Sequence, residues 1–123
     1  MSTLKVTNIQ ATGETASRAV SGVAAAWVNY DASTAARDST NISSLTDTST
    51  GQTEVNFTNA FSSSNYSPSS AGANGTASGT SYSLTTDAYS TTSLGVETWA
   101  ISSSSVARSD RAFNCVNICG DLA

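Results

Sequence analysis

The sequence predicts an all-β chain, a small β-sandwich or jelly-roll-like domain, and three observations carry that expectation. Serine and threonine supply about a third of the 123 residues while charged residues supply only 11%, a chemistry that suits exposed strand faces. Apolar and polar residues alternate in several short runs, most clearly in "TEVNF" and "NCVNIC", which is the period-two signature of half-buried strands. Polar stretches rich in turn formers separate these runs. Disorder is the competing explanation of such a composition, but it goes with high net charge and few aromatics. Here the net charge is −4, and two Trp, four Tyr and three Phe lie mostly inside apolar runs.

The elements follow in chain order. Residues 2–10 form a short polar strand candidate. In residues 11–24, Ala16, Ala19, Val20, Val23, Ala24 and Trp27 fall on a helical stripe, which Gly22 weakens. The segment is read as a short helix or an irregular connection. "AAWVNYD" is a strand with Val28 and Tyr30 on one face, Trp27 on the other, and Asp31 opening a turn. "TNISSLTDTSTGQTEVNFTNAF" is a hairpin turning at "DTSTGQ", with Val55 and Phe57 facing one way. "ARDS" at 36–39 and "ARSD" at 107–110 are charged turns. Residues 67–80, "SPSSAGANGTASGT", lack any large apolar side chain and read as a loop, or as a ribbon turning at Asn74-Gly75. "SYSLTTDAYSTTSLGVETWAIS" supplies two further strands. "RAFNCVNICGD" is the last, with Val116 and Ile118 on one face and Phe113, Cys115 and Cys119 on the other. The total is six or seven short strands, with Val55, Phe57, Val116 and Ile118 in the core.

Several function classes lose their footing. Five basic residues are too few and too scattered for phosphate contacts, so no nucleic-acid partner is expected. No apolar run approaches the ~20 residues of a membrane span, so no membrane insertion is expected. "MSTLKVTNIQ" has no apolar leader core. Assembly in a reducing cytosol is therefore expected, and the Asn-x-Ser/Thr triplets at Asn41, Asn56, Asn65 and Asn74 are read as chance. The chain has no histidine, which excludes Ser-His-Asp and Cys-His catalysis. "SAGANGTASG" has neither the spacing nor the lysine of a phosphate loop. The nine carboxylates are scattered, mostly at turns, and no calcium-loop spacing occurs among them. No enzyme activity, cofactor or metal is expected.

Cys115 and Cys119 are the only cysteines. Structural zinc needs four ligands, and a redox pair has two intervening residues rather than three. On one strand face these cysteines would lie roughly 13 Å apart at ~3.3 Å per residue, beyond the ~7 Å that a disulfide spans. They are read as small buried apolar residues, with a bridge to a neighbouring subunit as the alternative. The last strand is apolar on both faces. So is "AAWVNY", where Trp27 opposes Val28. "GVETWAI" repeats the pattern, with Trp99 and Ile101 opposing Val96 and Ala100. One face can fill the subunit's own core; the other calls for a partner, most simply another copy of the chain.

Residues 25–66, "AAWVNYDASTAARDSTNISSLTDTSTGQTEVNFTNAFSSSNY", resemble a segment common in virion appendages of tailed bacteriophages. The family pattern runs approximately A-W-V-N-F, I-R-x-S-x-N-V-S-S-I-T-D, Y-T-V-N-F-x-x-A and a later Y. Ala26-Trp27-Val28-Asn29-Tyr30, Arg37, Ser39, Asn41-Ile42-Ser43-Ser44-Leu45-Thr46-Asp47, Val55-Asn56-Phe57, Ala60 and Tyr66 fall on it. The opening "MSTLKVTNIQATGE" looks like the start of many phage fibre-type proteins, and "VNICGD" looks like the family's final strand, which commonly reads V-x-V-x-V-F-G-D. "ASTAARDS" departs from the usual Gly-rich turn, and residues 67–100 are poorly matched. The resemblance implies a structural protein of the virion, a tail fibre, head fibre or decoration protein assembled as a homotrimer in the host cytoplasm. Its other partners would be capsid, tail or baseplate proteins. Residues 1–24 would then be a short N-terminal attachment segment and 25–123 the β-sandwich domain. Trp27, Trp99, Phe113, Cys115 and Cys119 are the candidate trimer contacts. The alternative is a receptor- or glycan-binding module that reads a host-surface glycan through the 67–80 loop, with Asn74 in it and Tyr66 and Tyr82 at its rims.

Overall fold

A computed structural model describes residues 8–9, 18–19, 24–73 and 81–123. Two strands of two residues each, β1 (Asn8–Ile9) and β2 (Arg18–Ala19), pair antiparallel. The other nine strands form two antiparallel sheets. The first has the order β4-β3-β11-β7, from β3 (Ala24–Tyr30), β4 (Ala36–Thr40), β7 (Ser67–Ala73) and β11 (Phe113–Cys119). The second contains β5 (Ile42–Ser49), β6 (Gln52–Phe57), β8 (Ser81–Asp87), β9 (Ser93–Ile101) and β10 (Val106–Arg108). Its centre is β9. One edge of β9 pairs with β8. The other pairs with β6 over Ser93–Glu97 and then with β10 over Trp99–Ile101.

The alternation that predicts the strands also fills the core. Val28 and Tyr30 of β3, Val116 and Ile118 of β11, Val55 and Phe57 of β6, and Leu94 and Val96 of β9 are all buried, as are Leu84, Phe61 and Tyr66. The expected core residues Val55, Phe57, Val116 and Ile118 are 0%, 7%, 2% and 0% exposed. The structure is therefore all-β, two antiparallel sheets closing on one apolar layer, as in a small sandwich.

The chain enters β3 at Ala24, beside Cys119, and β3 ends at Tyr30, beside Asn114. These define a proximal and a distal end. An aromatic cluster seals the proximal end: the rings of Phe57 and Phe61 lie 4.9 Å apart and those of Phe61 and Tyr66 4.6 Å apart. The turns 31–35, 50–51, 102–105 and 109–112 lie at the distal end. Asp31 builds the first of these: its Oδ1 accepts from the backbone N–H of Ser33 and Ala35 and from the Ser33 hydroxyl. These bonds hold its carboxyl below the usual range.

The passage from the first sheet to the second occurs at one residue. Asn41 sits between β4 and β5 with φ 58°. Its Oδ1 accepts from Asn59 N (2.8 Å), and its Nδ2 donates to Asn59 O (3.1 Å). Asn tolerates the left-handed region better than other residues with a Cβ. Asn41→Ala is expected to cost about 1–2 kcal/mol from strain and lost bonds, read as a lower thermal midpoint. Asn41→Gly should recover the backbone part alone. Equal losses in both variants would show that the side-chain bonds carry the whole effect.

Four expectations from sequence give way here. The stripe from Ala16 to Trp27 is not helical where it is described: Arg18–Ala19 and Ala24–Tyr30 are strand, and small residues fit either period. The remainder of 11–23 lies outside the described residues. "ARDS" is not a turn but most of β4, and Val106–Arg108, overlapping "ARSD", is β10. Both are edge elements with mostly exposed residues, so no apolar alternation marks them. Ser67–Ala73 is not a loop but β7, paired along its length with β11. β7 and β8 lie in different sheets, and Asn74-Gly75, the expected turn of the ribbon alternative, lies outside the described residues. The strand number rises accordingly above six or seven.

Candidate functional site

On the outer face of the first sheet, pairing places Cys115 between Asn29 and Ala71, Asn117 between Trp27 and Ser69, and Phe113 beside Ala73. Apart from Phe113 and Ala73, these residues border a broad groove of about 450 Å³. Trp27, Ala71, Cys115 and Phe113 make this face apolar. Phe113 remains 42% exposed, and the Arg37 guanidinium lies 4.3 Å from its ring centroid. Arg37 is held there by bonds to Asn29 Oδ1 (3.2 Å) and Ala112 O (2.7 Å). Arg37 escapes sequence reasoning because "ARDS" reads as a turn rather than as an edge strand beside Asn29.

The five candidate contacts do not share one surface. Trp27, Phe113, Cys115 and Cys119 lie on this face. Trp99 belongs to the second sheet, beneath the Arg108 guanidinium at 5.0 Å. Arg108 in turn binds Glu97, which also accepts from Gln52 Nε2 at 2.9 Å. The subunit's own charges therefore cover Trp99. Strand parity assigns a residue to a face of its strand but not to a sheet, which is why the two tryptophans were grouped.

The cysteines are free, as the strand spacing requires. Their burial is a correction: Cys115 is exposed and Cys119 only half-buried, because Asn114, Val116 and Ile118 take the inward positions of β11.

The candidate receptor loop changes as well. Tyr66 is buried, and its hydroxyl donates toward Ser90 O and Ser93 O, each 3.0 Å away. Burial pushes its phenol above the ordinary range. It is a core residue and offers no ring face to a sugar. Gly120 makes this possible: a Cβ there would meet Tyr66 Cβ at 2.8 Å. Tyr82 stays near the distal end, where the Arg111 guanidinium lies 4.3 Å over its ring. Ile101, Val106 and Phe113 are exposed around the same end.

Beneath the distal turns the interior turns polar. Thr53, Thr98 and Asn114 are buried. Thr98 Oγ1 donates to Asn114 Oδ1 at 3.4 Å, and Asn114 Nδ2 donates to Arg111 O at 2.9 Å. Burial pushes the Tyr30 phenol up to about 12. Thr53 lies close enough to temper that rise, but Tyr30 Oη forms no hydrogen bond of ordinary geometry, and neither does the buried Arg111 Nε. Among the described residues, no three His, Cys, Asp or Glu side chains converge as metal ligands. Nor is any helix there long and apolar enough to cross a membrane.

Comparison with protein-family models, curated proteins and solved structures found no match to this chain.

Proposed function

We propose that the chain is a structural protein of a tailed-phage particle, a short fibre or decoration protein that forms a trimeric appendage and carries no catalytic activity. The observation that carries this reading is the outer face of the first sheet. On a surface otherwise dominated by Ser, Thr and Asn, it gathers Trp27, Ala71, Phe113 and Cys115. A monomer has no use for such a face, and a second copy covers it most simply. Three copies of one face around a threefold axis bury it on every subunit. The resemblance of residues 25–66 to phage appendage segments supplies the particle.

The attachment function belongs to residues 1–24, which lead into β3 at the proximal end. A chain lacking residues 1–20 is expected to assemble into soluble trimers yet fail to join particles, scored by immunoblot of purified virions. Normal incorporation would place attachment elsewhere, at the base of the domain. A second reading, a module that binds host glycans, draws on Tyr82, whose ring the Arg111 guanidinium covers at the start of β8. Binding on a glycan array, lost in Tyr82→Ala, would favour it over a purely structural role.

A further inference from the structure

We propose that the distal end of the sandwich holds one ordered water molecule, bonded to Tyr30 Oη and Arg111 Nε and lodged between the two sheets. Both atoms are buried, and neither finds a protein partner. Tyr30 and Arg111 both line one small polar void, together with Thr53, Thr98 and Asn114 and with residues of the surface turns, Asp31 and Asp110 among them. Tyr30 is only 2% exposed, although the void opens partly to solvent among those turns. A buried polar group left dry is a standing cost, and native structures meet it with protein or water.

The size of the void selects the ligand. It offers about 10 Å³ of room for the centre of a water-sized sphere, and one water needs roughly 10–15 Å³ on that measure. A hydrated cation, a carboxylate or a sugar does not fit. Thr98 and Asn114 cannot replace the water by rotating. Thr98 Oγ1 is committed to Asn114 Oδ1, and Asn114 Nδ2 to Arg111 O. The water would accept from Arg111 Nε–H and from the Tyr30 hydroxyl, and its two hydrogens would go to lone pairs of Thr53 and Thr98. Tyr30 and Arg111 flank the first sheet, while Thr53 and Thr98 belong to the second, so the water bridges the two layers. It also fixes Arg111 in the position from which its guanidinium covers Tyr82.

Two measurements on the full chain decide the matter. A high-resolution crystal structure should show one density peak within about 3.2 Å of both Tyr30 Oη and Arg111 Nε; no peak there overturns the proposal. Tyr30→Phe removes only the hydroxyl. If the water is present, the variant strands it and the thermal midpoint should fall by about 3–6 °C at fixed protein concentration. If Oη is dry, deleting it relieves a desolvated hydroxyl, and the midpoint rises or stays unchanged. Either of those results also overturns the proposal.

Discussion

Gly51→Ala is expected to lower the thermal midpoint by more than about 10 °C, or to leave the chain insoluble. Gly51 has φ +66°, and a Cβ built there would stand 2.6 Å from Ser109 N and 2.7 Å from Thr98 O. Both neighbours are backbone, so no side chain can swing aside. They belong to the point where β6 gives way to β10 along β9. There Gly51 O accepts from Thr98 N (2.8 Å), Ser109 N donates to Thr98 O (3.1 Å), and Asp110 Oδ1 accepts from Gly51 N (2.7 Å). Admitting a methyl group forces this junction open. Three bonds at roughly 1 kcal/mol net each and about 1–2 kcal/mol of left-handed strain give a loss of about 4–5 kcal/mol. Domains of this kind are stable by only about 5–15 kcal/mol, so the loss is a large share. Gly72→Ala is the control. Its Cβ would meet Leu84 Cδ1 at 3.6 Å, an ordinary contact, and the variant should unfold close to wild type. Should Gly51→Ala unfold within about 2 °C of wild type, the junction is not the constraint described here.

This junction shows where the sequence is silent. "DTSTGQ" announces a hairpin turn, but nothing in it says that its glycine must touch Ser109, far along the chain. Local alternation makes β6, β9 and β11 legible because their inward residues are large and apolar: Val55, Leu94, Val96, Val116, Ile118. β7 points small or polar groups inward, and the short edge strands β4 and β10 are mostly exposed. Their period-two pattern therefore carries no hydrophobic contrast. Tyr66 is misplaced for a related reason. It follows the polar run "SSSN", and only the missing Cβ of Gly120 lets its ring pack against Phe61. The grouping of Phe113, Cys115 and Cys119 was legible because parity within a strand is a local property; that Trp27 joins them depends on β3 lying beside β11. The exclusion of Trp99 from that group was not, since it depends on which sheet β9 joins. The polar distal interior left a trace: Asn114 shares parity with Val116 and Ile118, and Thr53 with Val55.

Phe113→Asp is expected to convert the proposed trimer into a monomer without unfolding the subunit. The side chain is 42% exposed on the outer face of β11, so a carboxylate there remains solvated in the isolated subunit and disturbs no core contact. In the assembly the same carboxylate would be desolvated on three subunits around one axis. Arg37, 4.3 Å from the present ring centroid, could pair with it, but a surface pair contributes only about 0–1 kcal/mol and does not offset burial. The size of the face makes the effect decisive. Four strands about 4.8 Å apart, three of seven residues and β4 of five, at ~3.3 Å per residue cover about 410 Å². A standard stable interface buries ~800 Å² per partner, so association through this face alone has little margin to lose. Sedimentation of the wild-type chain across the micromolar range should show a trimer that dissociates on dilution, while Phe113→Asp sediments as a monomer throughout. Cys115 supplies an independent reading. It is exposed in the subunit and lies beside Asn29 and Ala71 in the middle of the face. Its thiol should be slow to alkylate in the concentrated wild type and fast in Phe113→Asp. Asp47→Asn, in β5 of the other sheet, should change neither measurement. A wild-type chain that stays monomeric at every concentration, with Cys115 freely reactive, would show that this apolar face is left open to a partner other than itself.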